Sequence, residues 1–242
     1  MEYTEFSALF AQATRQNGIV APSDAQMQQF YQFNNYLFEV NQTTNLTAIR
    51  NPVDAIYKHY IDSLLAVTHI PQGARVLDLG CGPGFPSIPL SIARPDISVV
   101  ALDSTAKKIT FVSKAAEILG LTNLTTVAGR AEDTVIAQKL GDFDIVISRA
   151  VARMNVLTEL CLPYVRIGGI FIALKGAKAD EEVTEAKSAI SKLGGSSPEL
   201  FAQPLILQNG TTEARCTVLA KKQIATPKGF PRPYATILKR PL

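Results

Sequence analysis

The fold is decided by Val76-Leu77-Asp78-Leu79-Gly80-Cys81-Gly82-Pro83-Gly84-Phe85, an apolar run that leads through an acidic residue into a turn with three glycines. The run is typical of a buried strand, and a second apolar run, from Ile97 to Leu102, is followed by Asp103. A strand, a glycine-rich turn, a helix, a second strand and an acidic residue are the elements with which an α/β domain holds a nucleoside-bearing cofactor. The stretch therefore predicts a Rossmann-like sheet with a ligand site beside its first strand.

The spacing of the glycines distinguishes two classes of cofactor. The dinucleotide fingerprint has glycine at its first, third and sixth positions, and counted from Gly80 the sixth position is Phe85, which would crowd the contact between helix and strand. Here glycine occupies the first, third and fifth positions (Gly80, Gly82 and Gly84), and Asp78 stands two residues ahead. This pattern resembles motif I of the Rossmann-like S-adenosylmethionine (SAM) methyltransferases. Because glycine has no Cβ, the backbone can approach the amino-acid and ribose parts of that cofactor.

Three further residues fit a SAM site. Asp103 ends the second predicted strand, where a carboxylate can accept hydrogen bonds from both ribose hydroxyls. Ala131 and Glu132 follow the third predicted strand, where adenine would lie, and they offer a backbone amide and a carboxylate. The plainer alternative is that a glycine-rich turn opens a helix and an acidic residue ends a strand without any ligand. The glycine turn and Asp103 in combination favour the cofactor.

The end of the fourth predicted strand indicates the methyl acceptor. Methyltransferases of exocyclic amines carry an Asn/Asp-Pro-Pro-aromatic element there, and those of pyrimidine carbons carry a cysteine, whereas this chain has Ile147-Ser148-Arg149-Ala150. An aromatic ring nitrogen or an oxygen remains, and an oxygen would need a base or a metal cluster, neither of which is evident. Arg149, Arg153 and Lys175 near the strand ends are candidates for holding substrate or phosphate, the alternative being simple surface solvation.

Bulk properties limit the class of protein. The 242 residues suit one large α/β domain, alone or with a subdomain, and no apolar run reaches the length of a membrane span. The acidic start lacks the apolar core of a signal peptide, so we expect a cytoplasmic protein. Three widely spaced cysteines and two histidines argue against a disulfide framework and against a metal site.

Charge is distributed unevenly along the chain. The net charge is +3, but all 21 acidic residues lie at or before Glu213, and seven Lys or Arg residues follow it. A local positive patch of this kind suggests a polyanionic partner, and the alternative is a solvated tail that keeps the protein soluble.

Hydrophobic periodicity divides the chain into three parts. Residues 1–72 read as a helical extension packed on the core, residues 73–222 as the methyltransferase domain, and residues 223–242 as a basic tail with four prolines and no regular structure from Thr226 onward. The predicted strands of the domain are 75–79, 97–102, 124–128, 143–148, 169–174, 201–208 and 214–221. The predicted helices are 85–93, 105–119, 131–139, 153–166 and 178–193. The last two strands form an antiparallel hairpin, because an Asn-Gly turn and no helix separates them.

Short motifs along nearly the whole chain match those of one protein family. They are Asn45-Leu46-Thr47, His59-Tyr60-Ile61-Asp62-Ser63, residues 78–86, Ile88-Pro89, Leu102-Asp103-Ser104 with Lys107-Lys108, Arg130-Ala131-Glu132, Ser148-Arg149-Ala150, Ala173-Leu174-Lys175-Gly176, and Pro227-Lys228 with Pro231-Arg232. The chain resembles the guanine-N7 methyltransferases of bacterial 16S ribosomal RNA, the RsmG (formerly GidB) family. The position that this family methylates, guanine N7, is a free lone pair that loses no proton, in agreement with the elimination above.

The resemblance implies a substrate, a partner and a set of cofactor contacts. The substrate would be one guanine near the decoding centre, in 16S rRNA, in the small ribosomal subunit or in an assembly intermediate, and we expect a monomer. The implied SAM contacts are Gly80, Phe85, Ala131, Glu132 and Arg149. His59, Asp62 and Ser63 are one helical turn apart and are candidates for bordering or orienting the RNA groove. The alternative is that Asp62 and Ser63 pin the N-terminal helices to the sheet. The alternative functions are a nicotinamide-dependent oxidoreductase and a non-catalytic RNA-binding module with a decayed SAM site.

Overall fold

The first predicted strand is the third strand of a seven-stranded sheet. The computed structural model describes residues 1–242. Its strands are β1 (Arg75–Leu79), β2 (Ser98–Asp103), β3 (Leu124–Ala128), β4 (Phe143–Arg149), β5 (Val165–Lys175), β6 (Glu199–Ala202), β7 (Leu205–Ile206), β8 (Thr212–Glu213) and β9 (Cys216–Lys221). The sheet has the order β3-β2-β1-β4-β5-β9-β6, and β7 pairs with β8 in a separate two-stranded sheet.

Strand direction places the cofactor crevice. β3, β2, β1, β4 and β5 are parallel, and β9 and β6 are antiparallel to their neighbours. The strand order reverses at β1, which pairs with β2 on one side and β4 on the other. In open α/β sheets ligands bind outside the carboxyl ends of the strands at such a switch point. The fold class predicted from the sequence, an α/β Rossmann-like sheet with helices before it, is confirmed.

Ten α-helices flank the sheet. They are α1 (Tyr3–Gln16), α2 (Asp24–Thr44), α3 (Pro52–Ala55), α4 (Asp62–Leu64), α5 (Ser87–Ala93), α6 (Ala106–Leu119), α7 (Thr134–Leu140), α8 (Met154–Cys161), α9 (Ala179–Lys192) and α10 (Tyr234–Lys239). A π-helical segment, Ile56–Ile61, joins α3 to α4 without a break. Ser23 caps α2 in a capping box with Gln26, which satisfies N–H groups at the start of the helix. None of the helices combines the length and the apolar character that a bilayer crossing requires.

The helices at the N-terminus share one core with a face of the sheet. Phe10, Phe30 and Tyr60 are fully buried, and their rings lie 4.6 to 6.0 Å apart between centroids. The same apolar cluster continues through Phe85 to the β-strands. Burial of large aromatic rings contributes strongly to core stability, so the N-terminal helices are held firmly against the sheet.

Two prolines account for differences from the predicted elements. The predicted helix 153–166 ends at Cys161, because Pro163 lacks the N–H that would continue it, and β5 begins as early as Val165. The predicted strand 201–208 is divided at Pro204, which cannot donate to a ladder. Its first part is β6, which pairs with β9, and its second part is β7, which pairs with β8.

The C-terminal segment is more ordered than its proline content predicts. The expectation of no regular structure after Thr226 is wrong, because residues 234–239 form α10. Ile237 on this helix is fully buried in the core on the second face of the sheet. Arg232 donates to Glu159 of α8 from its backbone N–H (2.9 Å), its Nε (2.8 Å) and its Nη2 (2.6 Å). The segment therefore folds back onto the domain.

Candidate active site

A cavity of about 520 Å³ lies at the carboxyl ends of β1, β2, β3 and β4. Seven of the eight predicted cofactor residues line it, namely Gly80, Gly82, Phe85, Asp103, Ala131, Glu132 and Arg149. The eighth, Gly84, does not. The glycine turn, the acidic strand end and the segment after β3 therefore meet in one place, as the sequence predicts.

The glycine turn places two different demands on its residues. Gly82 has a φ of +56°, and a Cβ added there would meet nothing within 4 Å, so the backbone borders open space. Gly84 has a φ of +92°, and its Cβ would lie 2.5 Å from a methyl carbon of Ile88. Gly84 thus allows close packing of α5 against the turn rather than contact with a ligand, which explains its absence from the cavity wall.

Asp103, at the end of β2, is hydrogen-bonded to the glycine turn. Its Oδ2 accepts the N–H of Gly82 at 3.0 Å and its Oδ1 accepts the N–H of Thr105 at 2.8 Å. Each carboxylate oxygen has a second lone pair, and the residue lines the cavity, so both oxygens can accept further hydrogen bonds from a ligand.

Asp78 supports the turn from beneath and lies outside the cavity wall. It is fully buried, and its Oδ2 accepts the N–H of Ser87 at the start of α5 at 2.9 Å. Burial raises the pKa of Asp78 to about 7, because the charged form is poorly solvated there. The residue fixes the angle between β1 and α5.

The segment after β3 presents a backbone amide and a carboxylate. The N–H of Ala131 has no hydrogen-bond partner within the protein, while its carbonyl accepts the hydroxyl of Tyr164 at 2.8 Å. The side chain of Glu132 is 15% exposed and lies 3.4 Å from Nη1 of Arg130. Tyr164 therefore fixes the backbone that carries both groups.

Arg149, at the end of β4, is tied to the N-terminal helices. Its Nη1 donates to Asp62 Oδ2 at 2.8 Å and to the carbonyl of Lys58 at 2.9 Å. Asp62 is 8% exposed, and its Oδ1 accepts Nε of Arg215 at 2.6 Å. One carboxylate thus holds two guanidinium groups from distant parts of the chain.

His59 completes the wall between the helices and the glycine turn. Its ring stacks on Phe85 with centroids 4.3 Å apart, and its Nε2 lies 2.8 Å from Oγ1 of Thr47. Burial and the nearby charge of Arg149 lower the pKa of His59 to about 3, so the imidazole is neutral at pH 7. Ser63 is fully buried and donates to the carbonyl of His59 at 2.6 Å, which makes its role structural.

A second cavity of about 480 Å³ adjoins the first. The two share Arg149, Ala150 and Val151 in their linings. The other residues that line the second cavity are Asp62, Ala152, Arg153, Leu174, Lys175, Gly176, Glu182 and Arg215. The predicted substrate-positioning residues Lys175 and Arg153 therefore border this cavity and not the first, and Arg149 borders both.

The cations of the second cavity differ in how they are held. The side chain of Lys175 is 8% exposed, and its Nζ donates to Glu182 and to the carbonyl of Ala152, both at 2.7 Å. Arg153 is 64% exposed and pairs with Glu185 at 2.7 Å. Sequence reasoning did not identify Glu182 or Arg215 as members of the site, because neither lies in a local motif.

Comparison with known proteins identifies the family. The family model described as rRNA small subunit methyltransferase G matches residues 26–202. The ribosomal RNA small subunit methyltransferase G of Lactobacillus delbrueckii subsp. bulgaricus is 43% identical over 225 residues, which cover 91% of this chain and 93% of that relative. The chain belongs to this family.

A more distant relative of the family and one solved structure complete the comparison. The ribosomal RNA small subunit methyltransferase G of Halalkalibacterium halodurans is 41% identical, and the match covers 100% of both chains. An O-methyltransferase from Bacillus cereus, solved in complex with SAH, matches with a TM-score of 0.58 at 16% identity and covers 91% of this chain and 100% of that one. This last likeness concerns the fold alone. The predicted family and the assignment as a SAM-dependent rRNA methyltransferase are confirmed.

In this member of the methyltransferase G family, the basic C-terminal region is only partly a free positive patch. Three of its seven cations are engaged within the protein: Arg215 with Asp62, Lys222 with the carbonyls of Leu162 and Leu193, and Arg232 with Glu159. Burial lowers the pKa of Lys222 to about 8. The four that remain exposed are Lys221, Lys228, Lys239 and Arg240.

Proposed function

We propose that the chain transfers the methyl group of SAM to N7 of a guanine in 16S rRNA, with the cofactor in the first cavity and the target nucleotide in the second. The chain is a SAM-dependent rRNA methyltransferase by family. The observation that supports this assignment of the two ligands is that the two cavities share a border at residues 149–151. Donor and acceptor would meet there, and such positioning is worth roughly 7–11 kcal/mol of a reaction barrier.

The first cavity offers a partner for each part of the cofactor. Asp103 would accept the ribose hydroxyls, and the N–H of Ala131 and the carboxylate of Glu132 would hold the adenine. The backbone at Gly82 borders open space and leaves room for the amino-acid part, whereas at Gly80 the missing Cβ makes room for the side chain of Val151. SAM supplies a methyl group already activated by its sulfonium charge. The residues of the protein therefore need only to bind and align it.

The second cavity suits an acceptor that keeps its protons. Its two carboxylates are paired, Asp62 with Arg149 and Arg215, and Glu182 with Lys175. Each carboxylate is thus engaged in an ion pair and does not face the cavity as a free base. Guanine N7 presents a lone pair and needs no base. The cations around it, Arg153 included, would hold the phosphates of the RNA.

The division of the chain and its biological setting remain proposals. We propose a helical extension over residues 1–72, a methyltransferase domain over 73–222 and a tail over 223–242. We also propose that the protein acts as a monomer. An rRNA substrate supports a cytoplasmic location, which we propose for this protein.

The function is tested by methyl transfer from labelled SAM to small subunits that lack N7-methylguanine in their 16S rRNA. The expected result is incorporation at one guanine, detected by strand scission specific for N7-methylguanine. Subunits that already carry the modification serve as the control and should accept no label. Parallel reactions with free 16S rRNA and with intact subunits identify the true substrate. Label on an exocyclic amine or on the small-subunit proteins would contradict the proposal.

A further inference from the structure

The C-terminal segment contributes a residue to the first cavity. Tyr234, the first residue of α10, lies in its lining, although it is 103 positions beyond Ala131 in the sequence. It is partly buried and packs on the core cluster of the second face of the sheet. Tyr234 is the only residue after Leu160 that lines this cavity.

The position of Tyr234 is fixed by contacts on both sides of it in the sequence. Two residues before it, Arg232 is held by the carboxylate of Glu159, whose side chain is completely buried. Three residues after it, Ile237 is fully buried. A buried carboxylate that lost its cation would carry a large desolvation cost, so this attachment is strong. The tyrosine is therefore anchored rather than carried on a free tail.

The surroundings of Tyr234 indicate which end of the cavity it covers. The core cluster that it packs against contains four residues that also line the cavity, Leu79, Leu102, Ala131 and Leu160. Of these, Leu160 lies on α8, the helix that α10 contacts. Glu159, which anchors the segment, adjoins Leu160 on α8. Ala131 belongs to the segment proposed to hold adenine. Tyr164, just after α8, donates to the carbonyl of Ala131, so the contact of α10 with α8 favours the adenine end for Tyr234.

We propose that the ring of Tyr234 forms part of the binding surface for the adenosine half of SAM, so that the C-terminal segment completes the cofactor site. This inference rests on the proposed function. The segment acts here through an aromatic ring against a nucleobase, a contact that adds binding free energy for any ligand containing adenosine. The exposed basic residues of the segment, Lys228, Lys239 and Arg240, are not required for this role.

The test compares three variants by calorimetric binding of S-adenosylhomocysteine and of adenosine. Tyr234→Ala should weaken both ligands about tenfold, within the range for loss of an aromatic–base contact. Tyr234→Phe keeps the ring and should stay within about twofold of the original protein. Leu238→Ala alters an exposed residue of the same helix that does not line the cavity, and should bind normally. Thermal unfolding confirms that each variant is folded.

Several results would overturn the inference. Equal affinity of Tyr234→Ala and the original protein would remove the ring from the site, and a loss in Tyr234→Phe as large as in Tyr234→Ala would assign the effect to the hydroxyl. Weaker RNA binding with unchanged S-adenosylhomocysteine binding would make the segment an RNA contact. If the original protein itself bound no S-adenosylhomocysteine, the proposed function would fail instead.

A second measurement uses the steady-state reaction. Arg232→Met removes both guanidinium hydrogen bonds to Glu159 and leaves only the one from the backbone N–H. With the segment loosened, the KM for SAM should rise about fivefold or more while the KM for the small subunit changes little. A general structural defect would instead lower kcat and raise both KM values. An unchanged KM for SAM in the folded variant would contradict the inference.

Discussion

The two adjoining cavities are built in different ways. The first is formed largely by backbone and by strand ends: the glycine turn after β1, the carboxylate at the end of β2 and the segment after β3. The second is formed by charged side chains from separate parts of the fold, with Asp62 on α4, Lys175 on β5 and Glu182 on α9. The first holds its ligand groups in place by local geometry, and the second by ion pairs between distant elements.

This difference has consequences for how each cavity responds to change. Groups presented by a strand end or a tight turn stay in position when a neighbouring side chain is replaced, because the backbone carries them. In the second cavity each cation is balanced by a carboxylate, so removing one charge leaves another uncompensated. Asp62 links the two cavities, because it pairs with Arg149, which lines both of them, and with Arg215, which lines only the second.

The largest expected effect is the loss of the Asp62 charge. Asp62→Asn keeps the shape of the side chain but leaves the partly buried guanidinium group of Arg149 without an anion and that of Arg215 with Glu213 alone. We expect the free energy of unfolding to fall by about 3 kcal/mol, the scale for breaking a buried ion pair. Urea unfolding measures it.

Glu185→Gln provides the matched control, because it removes a carboxylate from an exposed pair with Arg153. That variant should lose less than about 0.5 kcal/mol. Equal losses in the two variants would mean that Asp62 is no more important to the fold than a surface charge, and that the two cavities do not differ as described.

The next effect concerns the first cavity. Asp103→Ala should weaken SAM binding by about 2 kcal/mol, or roughly 30-fold, because the ribose hydroxyls and two backbone N–H groups lose their acceptor. Asp103→Asn retains one acceptor oxygen and should lose less. Calorimetry gives the affinities, and thermal unfolding separates a binding defect from misfolding. A folded Asp103→Ala protein with the original affinity would disprove the assignment.

A comparable effect on the free energy of unfolding is expected from His59, which lies between the N-terminal helices and the glycine turn. It is visible only as a dependence of stability on pH. His59 has a pKa of about 3 in the folded state against about 6.5 when unfolded, so its contribution to stability is full above pH 6.5 and declines as the pH falls below that value. Asp78 acts in the opposite direction, since its raised pKa makes its contribution decline as the pH rises toward 7. Comparing the stability of the original protein with that of a His59 variant isolates the contribution of the histidine.

We therefore expect the stability difference between the original protein and His59→Gln to shrink by about 2 kcal/mol from pH 7.5 to pH 5. Asp78 is common to both proteins and cancels. Urea unfolding at several pH values measures the difference. A difference independent of pH would show that His59 takes up its proton normally in the folded state.

The two designs also differ in how far the sequence reveals them. The glycine turn and Asp103 were predicted because each lies in a short pattern whose geometry follows from local backbone chemistry. The partners of Asp62 lie 87 and 153 residues away, at Arg149 and Arg215, and no local pattern marks such a pair. For this reason the sequence leaves two alternatives open for the role of Asp62. The first cavity, formed by local backbone geometry, is therefore easier to predict from the sequence than the second, which is formed by ion pairs between distant side chains.

The remaining errors have simpler causes. Pro163 is the sequence signal for the early end of α8, and Pro204 is the signal for the division of the predicted strand 201–208. Apolar periodicity continues across both prolines and favours the longer elements that the sequence predicts. Tyr234 was missed because the surrounding prolines suggested an irregular tail. Its helix is stabilised by burial of Ile237 and by the Arg232 contact with Glu159, both of them tertiary interactions.

The smallest effect tests whether the exposed edge of the second cavity meets RNA. Arg153→Ala removes an exposed cation, so stability should change by less than about 0.5 kcal/mol. If Arg153 contacts one phosphate, the slope of log affinity against log salt concentration should fall by roughly 0.7–0.9. Arg166→Ala is the matched control, because Arg166 is similarly exposed and paired, with Asp144, but lines neither cavity. Filter binding of 16S rRNA across a salt series measures both. Equal slopes in the two variants would mean that RNA senses only the overall charge of the protein, and that the second cavity does not guide the backbone of the substrate.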